Sequence, residues 1–415
     1  MQNVKCKMQN AEEVRRRFAL FPPHFTFCIL HFAFCILRAV ISPSIAVALG
    51  LLVCAAAALP MDSVTVRRDG NTVEVEGRLV LTAQDGGILL LARDGVLWNI
   101  EPQEQLKHSK EDSPFRPFTP QEMTKSLLAE LPKGFDVHPT AHYLIFHDTS
   151  RAYAQWCGML FERLYGAFHN SWSRKGFELS EPEFPLVAVV FADKASYVKY
   201  SEKALGDAAG SIVGYFNLAT NRMLMYDLTE TSSRSVRMGT TAQINQILSG
   251  ADASRTVSTI VHEATHQIAF NSGLHARYSD CPLWFSEGIA MYFETPDLHS
   301  SKGWAGVGAV NRSRLAQFHQ YLAGRPADSL RTLIAGDERF RDLKQASDAY
   351  AEAWALTYFL LRQRPKEYVE YLKMLSQKQP LVEDGPERRI EQFEKFFGPW
   401  KKVDVDLVRS MGRVR

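Results

Sequence analysis

The sequence predicts an α+β protein preceded by a small all-β domain. Three observations carry this. Residues 62–103 break into short β-rich runs. From His142 the pattern alternates strand, helix, strand, hairpin and helix. From about residue 300 to Phe397 helical spacing dominates, with the alternation of aromatic and charged residues typical of a packed bundle. The 415 residues are 46% hydrophobic and 23% charged, enough for two or three domains. A net charge of +2 gives no basic excess that would argue for nucleic acid.

The first 60 residues stand apart. "HFTFCIL" (24–30) and "HFAFCIL" (31–37) are a near-perfect tandem repeat that a targeting signal does not need. Residues 1–37 therefore read as a doubtful leader, from a start codon placed too early; an unusually long leader is the alternative. Arg38 is followed by an uncharged run to Met61 that passes through "CAAAALP". Residues 38–60 read as a signal peptide cut near Ala58 because of the small residues there, with a retained membrane anchor as the alternative, since about 20 apolar residues can span. Either reading predicts an extracytoplasmic protein that meets a membrane only through this segment if it stays uncleaved.

Within residues 61–104, "SVTVRRDG", "NTVEVEGRLVLTA", "ILLLARDG" and "VLWNI" are divided by Asp-Gly and Gly-Gly turns. They predict a small barrel-like β domain, acting either as a spacer or as a binding module. Residues 105–137 look like a charged, Pro-containing linker followed by a helix in "TPQEMTKSLLAEL". Then come a strand at "HYLIFHD", a helix at "AYAQWCGMLFERLYGAFHNSW", a buried strand at "PLVAVVFAD" and a hairpin at "SIVGYFNLATNRMLMYD" turning near Thr220–Asn221. Cys157 and Cys281 are the cysteines left after the leader; they either pair in an oxidising compartment or stay as two buried thiols.

"VHEATHQIAF" (261–270) holds the chemistry. His262 and His266 are four apart, so a helix puts both imidazoles on one face. Two neutral imidazoles can grip one Zn²⁺ at roughly 2.0–2.1 Å each. Glu263 projects beside that point, where a base must sit to take a proton from a zinc-bound water. Val257, Ile260, Val261, Ala264 and Ile268 form an apolar stripe, Ser254 is a plausible N-cap and Gly273 a plausible stop. No charge other than Glu263 lies between Val257 and Phe270, as a buried helix requires.

A second helix is predicted in "CPLWFSEGIAMYFETP" (281–296), entered at Pro282 and ended by Pro296. It places Glu287 twenty-one residues after His266. Two His, one Glu and a water make the open arrangement of a catalytic zinc, whereas a structural zinc is closed by four protein ligands.

"HEATH" followed by "WFSEGIAMYFE" resembles the gluzincin metallopeptidases, and the region from about 140 to 400 is similar to peptidase-MA-like bacterial proteins of unknown function. The specific part covers about 40 residues; "GYFNLATNRMLMYD" (214–227) and "YAEAWALTYFL" (350–360) carry the rest. The resemblance implies that Glu287, in a Trp-x-x-Glu-Gly-x-Ala segment, is the third zinc ligand. It implies a zincin-like catalytic domain at 138–300, a mixed sheet with an edge hairpin over the zinc helix, and a helical C-terminal subdomain at 301–415. It places a catalytic Tyr near Tyr350, where a core aromatic is the alternative. It implies a peptide or protein substrate and Zn²⁺ as cofactor. Two departures limit it. The Gly-x-Met-Glu-Asn strand of the aminopeptidase branch is absent, so an endopeptidase is expected. Met291 stands where the thermolysin branch has an Asp that orients a histidine; Glu294, seven residues after Glu287, is the candidate here. His275 and Arg277 lie in the loop between the two metal helices, where they contact substrate or stabilise the loop. Two rivals remain: an idle zinc-binding envelope protein, and a zinc hydrolase of a non-peptide amide.

Overall fold

A computed structural model gives the fold and describes residues 60–229, 239–295, 298 and 306–415. The leader, the signal-or-anchor segment up to residue 59, and Pro296 lie outside the described residues. Among those described, no helix is long and apolar enough to cross a membrane.

Strands β1 (Pro60–Arg68), β2 (Asn71–Thr82), β3 (Ile88–Ala92), β4 (Leu97–Ile100) and β5 (Gln105–Pro114) form one antiparallel sheet in the order β4-β3-β2-β1-β5. The two-residue turn Asp69-Gly70 between β1 and β2 has positive φ at both positions, 52° and 78°, as a tight hairpin requires. Val64, Val66, Val75, Ile88, Leu90, Ala92 and Ile100 fill its inner face. Two expectations change here. Residues 105–114 are not a linker but a fifth strand, paired along β1 from Val66↔Gln105 to Pro60↔Pro114. The sheet is also open, with β4 and β5 as its edges, rather than a closed barrel. The charges of "QLKHSKEDSP" disguise β5 because it is an edge strand and mostly exposed.

The second sheet follows helix α1 (Pro120–Glu130), which starts at a Thr119–Glu122 capping box with Pro120 in its first turn. Then come β6 (Asp136–Pro139), β7 (Tyr143–His147), α2 (Arg151–Ser173), β8 (Leu186–Phe191), α3 (Lys194–Leu205), β9 (Gly214–Asn217) and β10 (Arg222–Tyr226). The order is β6-β7-β8-β10-β9; β8 is parallel to β7 and β10, and both edge strands, β6 and β9, are antiparallel to their neighbours. Alternation splits the strands between two cores. Leu144, Phe146, Val187, Val189 and Leu224 pack toward Met123 of α1 and Tyr197 of α3. Tyr143, Ile145, Leu186, Ala188, Val190, Met223 and Met225 face the main core.

That main core is continuous from Tyr143 to Met411. It takes in α4 (Thr241–Leu248), α5 (Ala251–Asn271), α6 (Leu283–Phe293), α7 (Arg312–Leu322), α8 (Ser329–Ala335), α9 (Glu338–Arg341), α10 (Ala346–Gln363), α11 (Pro365–Ser376), α12 (Pro386–Phe397) and α13 (Trp400–Met411). The expected helical subdomain at 301–415 therefore has no core of its own; Trp156, Ile260, Trp284, Trp354 and Phe393 share one. α5 begins at Ala251 with Gly250 as N-cap, ahead of the expected Ser254, and Gly273 follows its C-cap at φ +77°. Cys157 and Cys281 are both free thiols, so no disulfide joins them.

Candidate metal centre

The chain assembles the site from α5 and α6. One helical turn separates His262 from His266, and their ring centroids are 4.7 Å apart. Glu287 of α6 brings Oε2 to 3.0 Å from His262 Nε2 and Oε1 to 3.4 Å from His266 Nε2. The two Nε2 atoms are 3.1 Å apart. One ligand atom from each residue lies within 4.8 Å of the other two. All three residues are buried, at 8%, 3% and 3% exposure.

Glu287 reaches this point because α6 lies unusually close to α10. A Cβ on Gly288 would fall 2.0 Å from Thr357 Oγ1 and 3.0 Å from the Ala353 carbonyl oxygen, so any side chain there would push the helices apart. The small residues Ala349 and Ala353 belong to the same buried run of α10. The glycine after the ligand is thus a packing requirement of the ligand's own helix.

The donor set suits a cation. Glu294 Oε1 lies 2.7 Å from His262 Nδ1. A carboxylate can only accept, so Nδ1 carries the hydrogen, and whenever the ring is neutral its Nε2 lone pair turns inward. There it meets the Glu287 carboxylate and the second imidazole, so electron-rich atoms converge on one buried point. A shared positive charge relieves that. Burial opposes protonation of His262, yet hydrogen bonds to Glu287 and Glu294 outweigh it and push its pKa up to about 9. Burial would raise Glu287, but His266 and His262 hold its carboxyl well below the usual range. Two imidazoles and one carboxylate could hold a metal ion, and the set is not the all-oxygen cage that calcium or magnesium takes.

Residues outside the motif complete the surroundings. Asn311 Nδ2 donates to Glu294 Oε2 at 2.9 Å, and Arg314 Nη2 approaches Oε1 at 3.5 Å, both from the start of α7. Against the burial that raises it, Arg314 and His262 bring Glu294 down to about 2. Sequence reasoning found Glu294 through its helical spacing but missed Asn311 and Arg314, which no local pattern marks.

Glu263 is 1% exposed and is not among the three ligands. Its Oε2 accepts the Phe216 N–H of edge strand β9 at 2.9 Å. Tyr350 of α10 is 7% exposed. Burial first, then the negative charge of Glu287, raises its phenol well above 10, so it keeps its proton. Arg314 lies 5.4 Å over its ring, and Phe340 meets the ring edge-on at 5.2 Å. Glu263, Glu287 and Glu294 all act electrostatically on Tyr350, which sets it beside the centre.

Residues 256–382 match a family described as a protein of unknown function (DUF1570). The matched stretch is less than half of the chain but contains His262, Glu263, His266, Glu287, Glu294, Asn311, Arg314 and Tyr350. No curated protein matches the chain significantly.

The two loop residues turn away from the centre. His275 is buried, its ring between Phe270 at 5.2 Å and Phe285 at 5.9 Å, and burial with the nearby His266 lowers it to about 3. It is a neutral core histidine. Arg277 donates through Nη1 to the carbonyls of Gly95 (2.8 Å) and Leu218 (3.2 Å). It holds the loop to the N-terminal sheet and to the β9–β10 turn.

Proposed function

We propose that the protein is an extracytoplasmic zinc-dependent metallopeptidase, an endopeptidase hydrolysing peptide or protein substrates. The observation that carries this reading is the position of Glu263. It adjoins the metal-binding set, belongs to a buried site, and has its carboxylate aimed by a main-chain N–H rather than spent on the ligand set. An idle metal site has no use for a buried, oriented carboxylate in that place.

His262, His266 and Glu287 would hold the zinc, which when bound supplies Lewis acidity and lowers the pKa of a water to about 7. The chain's own groups do the remaining work. Glu263 accepts one proton as the water oxygen adds to the peptide carbonyl carbon. It then gives that proton to the departing nitrogen as the C–N bond breaks, so an amine and a carboxylic acid leave, the acid's own proton passing to the amine or to solvent, and the Glu263 carboxylate is restored. Tyr350, protonated at neutral pH, can donate to the carbonyl oxygen as it gains charge. Export rests on residues 38–60, which also provide the one expected membrane contact if they are retained.

The test is digestion of a broad peptide library by wild type and Glu263→Gln, with and without chelator, and with zinc measured in the same preparations. Gln cannot take the proton at neutral pH. The variant should keep its zinc and lose on the order of 10²–10⁴ in rate. Equal cleavage by the variant would rule out hydrolysis through this site. Zinc-loaded wild type that cleaves no peptide would move the proposal to a different amide.

A further inference from the structure

The metal centre leaves one arrangement unused: a seam between the N-terminal sheet and the β9–β10 turn, closed by Arg277. From the sheet, the tight turn between β3 and β4 presses on that turn. Leu97 N–H donates to the Ala219 carbonyl at 2.8 Å. Gly95, at φ +84°, comes so close that a Cβ would lie 3.3 Å from the Phe184 ring and 3.5 Å from Asn221 Nδ2. From the other side, the C-terminal end of α5 holds the same turn. Asn221 and Asn271 exchange side-chain amide hydrogen bonds, 2.8 Å each way, and Gln267 Nε2 donates to the Asn221 carbonyl at 3.1 Å.

Arg277 joins the layers. Both its acceptors are main-chain carbonyls, one from each side of the seam. Among the described residues, no carboxylate comes within ion-pair distance of it, although Glu183 and Asp94 act on it from farther away. Burial lowers its pKa to about 10, so it stays charged at neutral pH. Holding a half-buried cation chiefly with carbonyl dipoles, its carboxylates lying farther off, is a costly way to pack a loop. The next residue, Tyr278, adopts φ +62°, a left-handed conformation that strains a bulky side chain. Its ring is buried with Leu89, Leu91 and Leu97 of the N-terminal sheet and with Phe184. The loop accepts strain at Tyr278 and a cation at Arg277 in order to make this seam.

The seam lies two residues from the centre along β9. Arg277 binds the Leu218 carbonyl, and Phe216 N–H binds Glu263. We propose that the N-terminal sheet is a clamp acting through Arg277, a positioning residue that fixes the β9–β10 hairpin and with it the N–H that aims Glu263. The sheet is therefore part of the site's framework rather than a separate binding module. The structural half of this stands alone; the consequence for rate rests on the proposed peptidase reading.

The experiment uses the full chain with Arg277→Ala, Arg277→Lys and, as control, Arg78→Ala. The control removes the paired hydrogen bonds of Arg78 to Glu183 (2.8 and 2.9 Å), which join the same two parts away from the hairpin. Amide hydrogen exchange is read over residues 214–226, with zinc content and peptide hydrolysis on the same samples. Arg277→Ala should speed exchange there by about tenfold or more, while Arg78→Ala leaves it near wild type. Arg277→Lys, which keeps the charge and the stem, should recover part of the protection. Zinc content should not change, because no ligand lies in the hairpin. The rate should fall on the order of 10–100-fold, the effect of a reacting group displaced by about an ångström. Exchange no faster in Arg277→Ala than in Arg78→Ala overturns the clamp. Should Arg277→Ala not fold, Arg277→Gln keeps part of the stem but is too short, and too poor in donors, to bridge the two carbonyls, and wild-type exchange in that variant overturns the proposal equally. If wild type cleaves no peptide, exchange alone still decides the clamp, and only the peptidase reading is lost.

Discussion

Two buried glutamates, Glu287 and Glu352, sit on facing helices of the same core and are treated in opposite ways. Glu352 is fully buried, and its oxygens are saturated. Oε1 accepts from Arg325 Nε at 2.9 Å and Nη2 at 2.5 Å; Oε2 accepts from Ser329 at 2.7 Å and Arg339 Nη1 at 2.8 Å. Asp404 shares Arg325 through a short contact, so two cations meet two anions. Glu287 is nearly as buried but, among the described residues, its polar contacts are to two imidazoles, whose inward nitrogens compete with it for one positive charge. The Glu352 cluster is complete without any further ion. The Glu287 cluster is not, and this difference separates a structural knot from a cluster that could hold a metal ion.

Breaking each cluster should therefore cost different things. Glu352→Ala leaves the Arg339 guanidinium buried without its carboxylate and Arg325 paired with Asp404 but not Glu352, and should destabilise the fold by about 3–5 kcal/mol. Zinc bound per folded molecule should change little. Glu287→Ala should do the reverse: most of the zinc is lost, while the metal-free protein remains folded. Chemical denaturation of the apo forms, paired with metal analysis of the folded fraction, reads both. Full zinc occupancy in Glu287→Ala would show that Glu287 is not a ligand.

The same contrast sets how much the sequence could tell. The three residues that could hold a metal ion were legible because they lie on two helices close in the chain: spacing put His262 and His266 on one face, and the family resemblance pointed to Glu287. Glu294 was legible for the same reason, at seven residues from Glu287. Asn311, Arg314 and the Phe216 N–H were not, because they reach the centre by tertiary packing and a main-chain group has no residue type to notice. β5 was misread since an exposed edge strand carries charges in place of the apolar alternation that marks half-buried strands. Arg277 looked like a loop charge of uncertain use, and its two acceptors become visible only when the N-terminal sheet is docked.

A smaller effect sharpens the picture of the incomplete cluster. Glu294 fixes the hydrogen on His262 Nδ1 and is itself held by Asn311. Glu294→Gln keeps the size but replaces the charged acceptor with an amide. Zinc affinity should fall by about 10–100-fold, the usual effect of losing such a partner. Competition with a calibrated chelator measures this without any substrate. An unchanged affinity would mean that His262 is oriented by packing alone.

The smallest expected effect concerns Tyr350, which stands between the two glutamates: it is two residues from Glu352 in sequence, yet it feels Glu287. If it belongs with the knot, its ring matters and its hydroxyl does not. Its ring is held by Phe340 and Arg314, contacts that Tyr350→Phe preserves apart from some loss of electron density in the ring. Folding stability and zinc content should then stay near wild type in either case. The hydroxyl is what differs. Held protonated by burial and by the carboxylates around it, it is a donor at every pH where the protein would work, and one donor to a developing oxyanion is worth roughly 10²–10³ in rate. Tyr350→Phe should lose about that much in kcat with KM little changed, because the interaction strengthens only as the carbonyl oxygen gains charge. The loss should be no larger than that of Glu263→Gln and should show no new pH dependence near neutrality, since the phenol does not titrate there. A variant with wild-type kcat would return Tyr350 to the core as an aromatic side chain and leave stabilisation of the oxygen to another group.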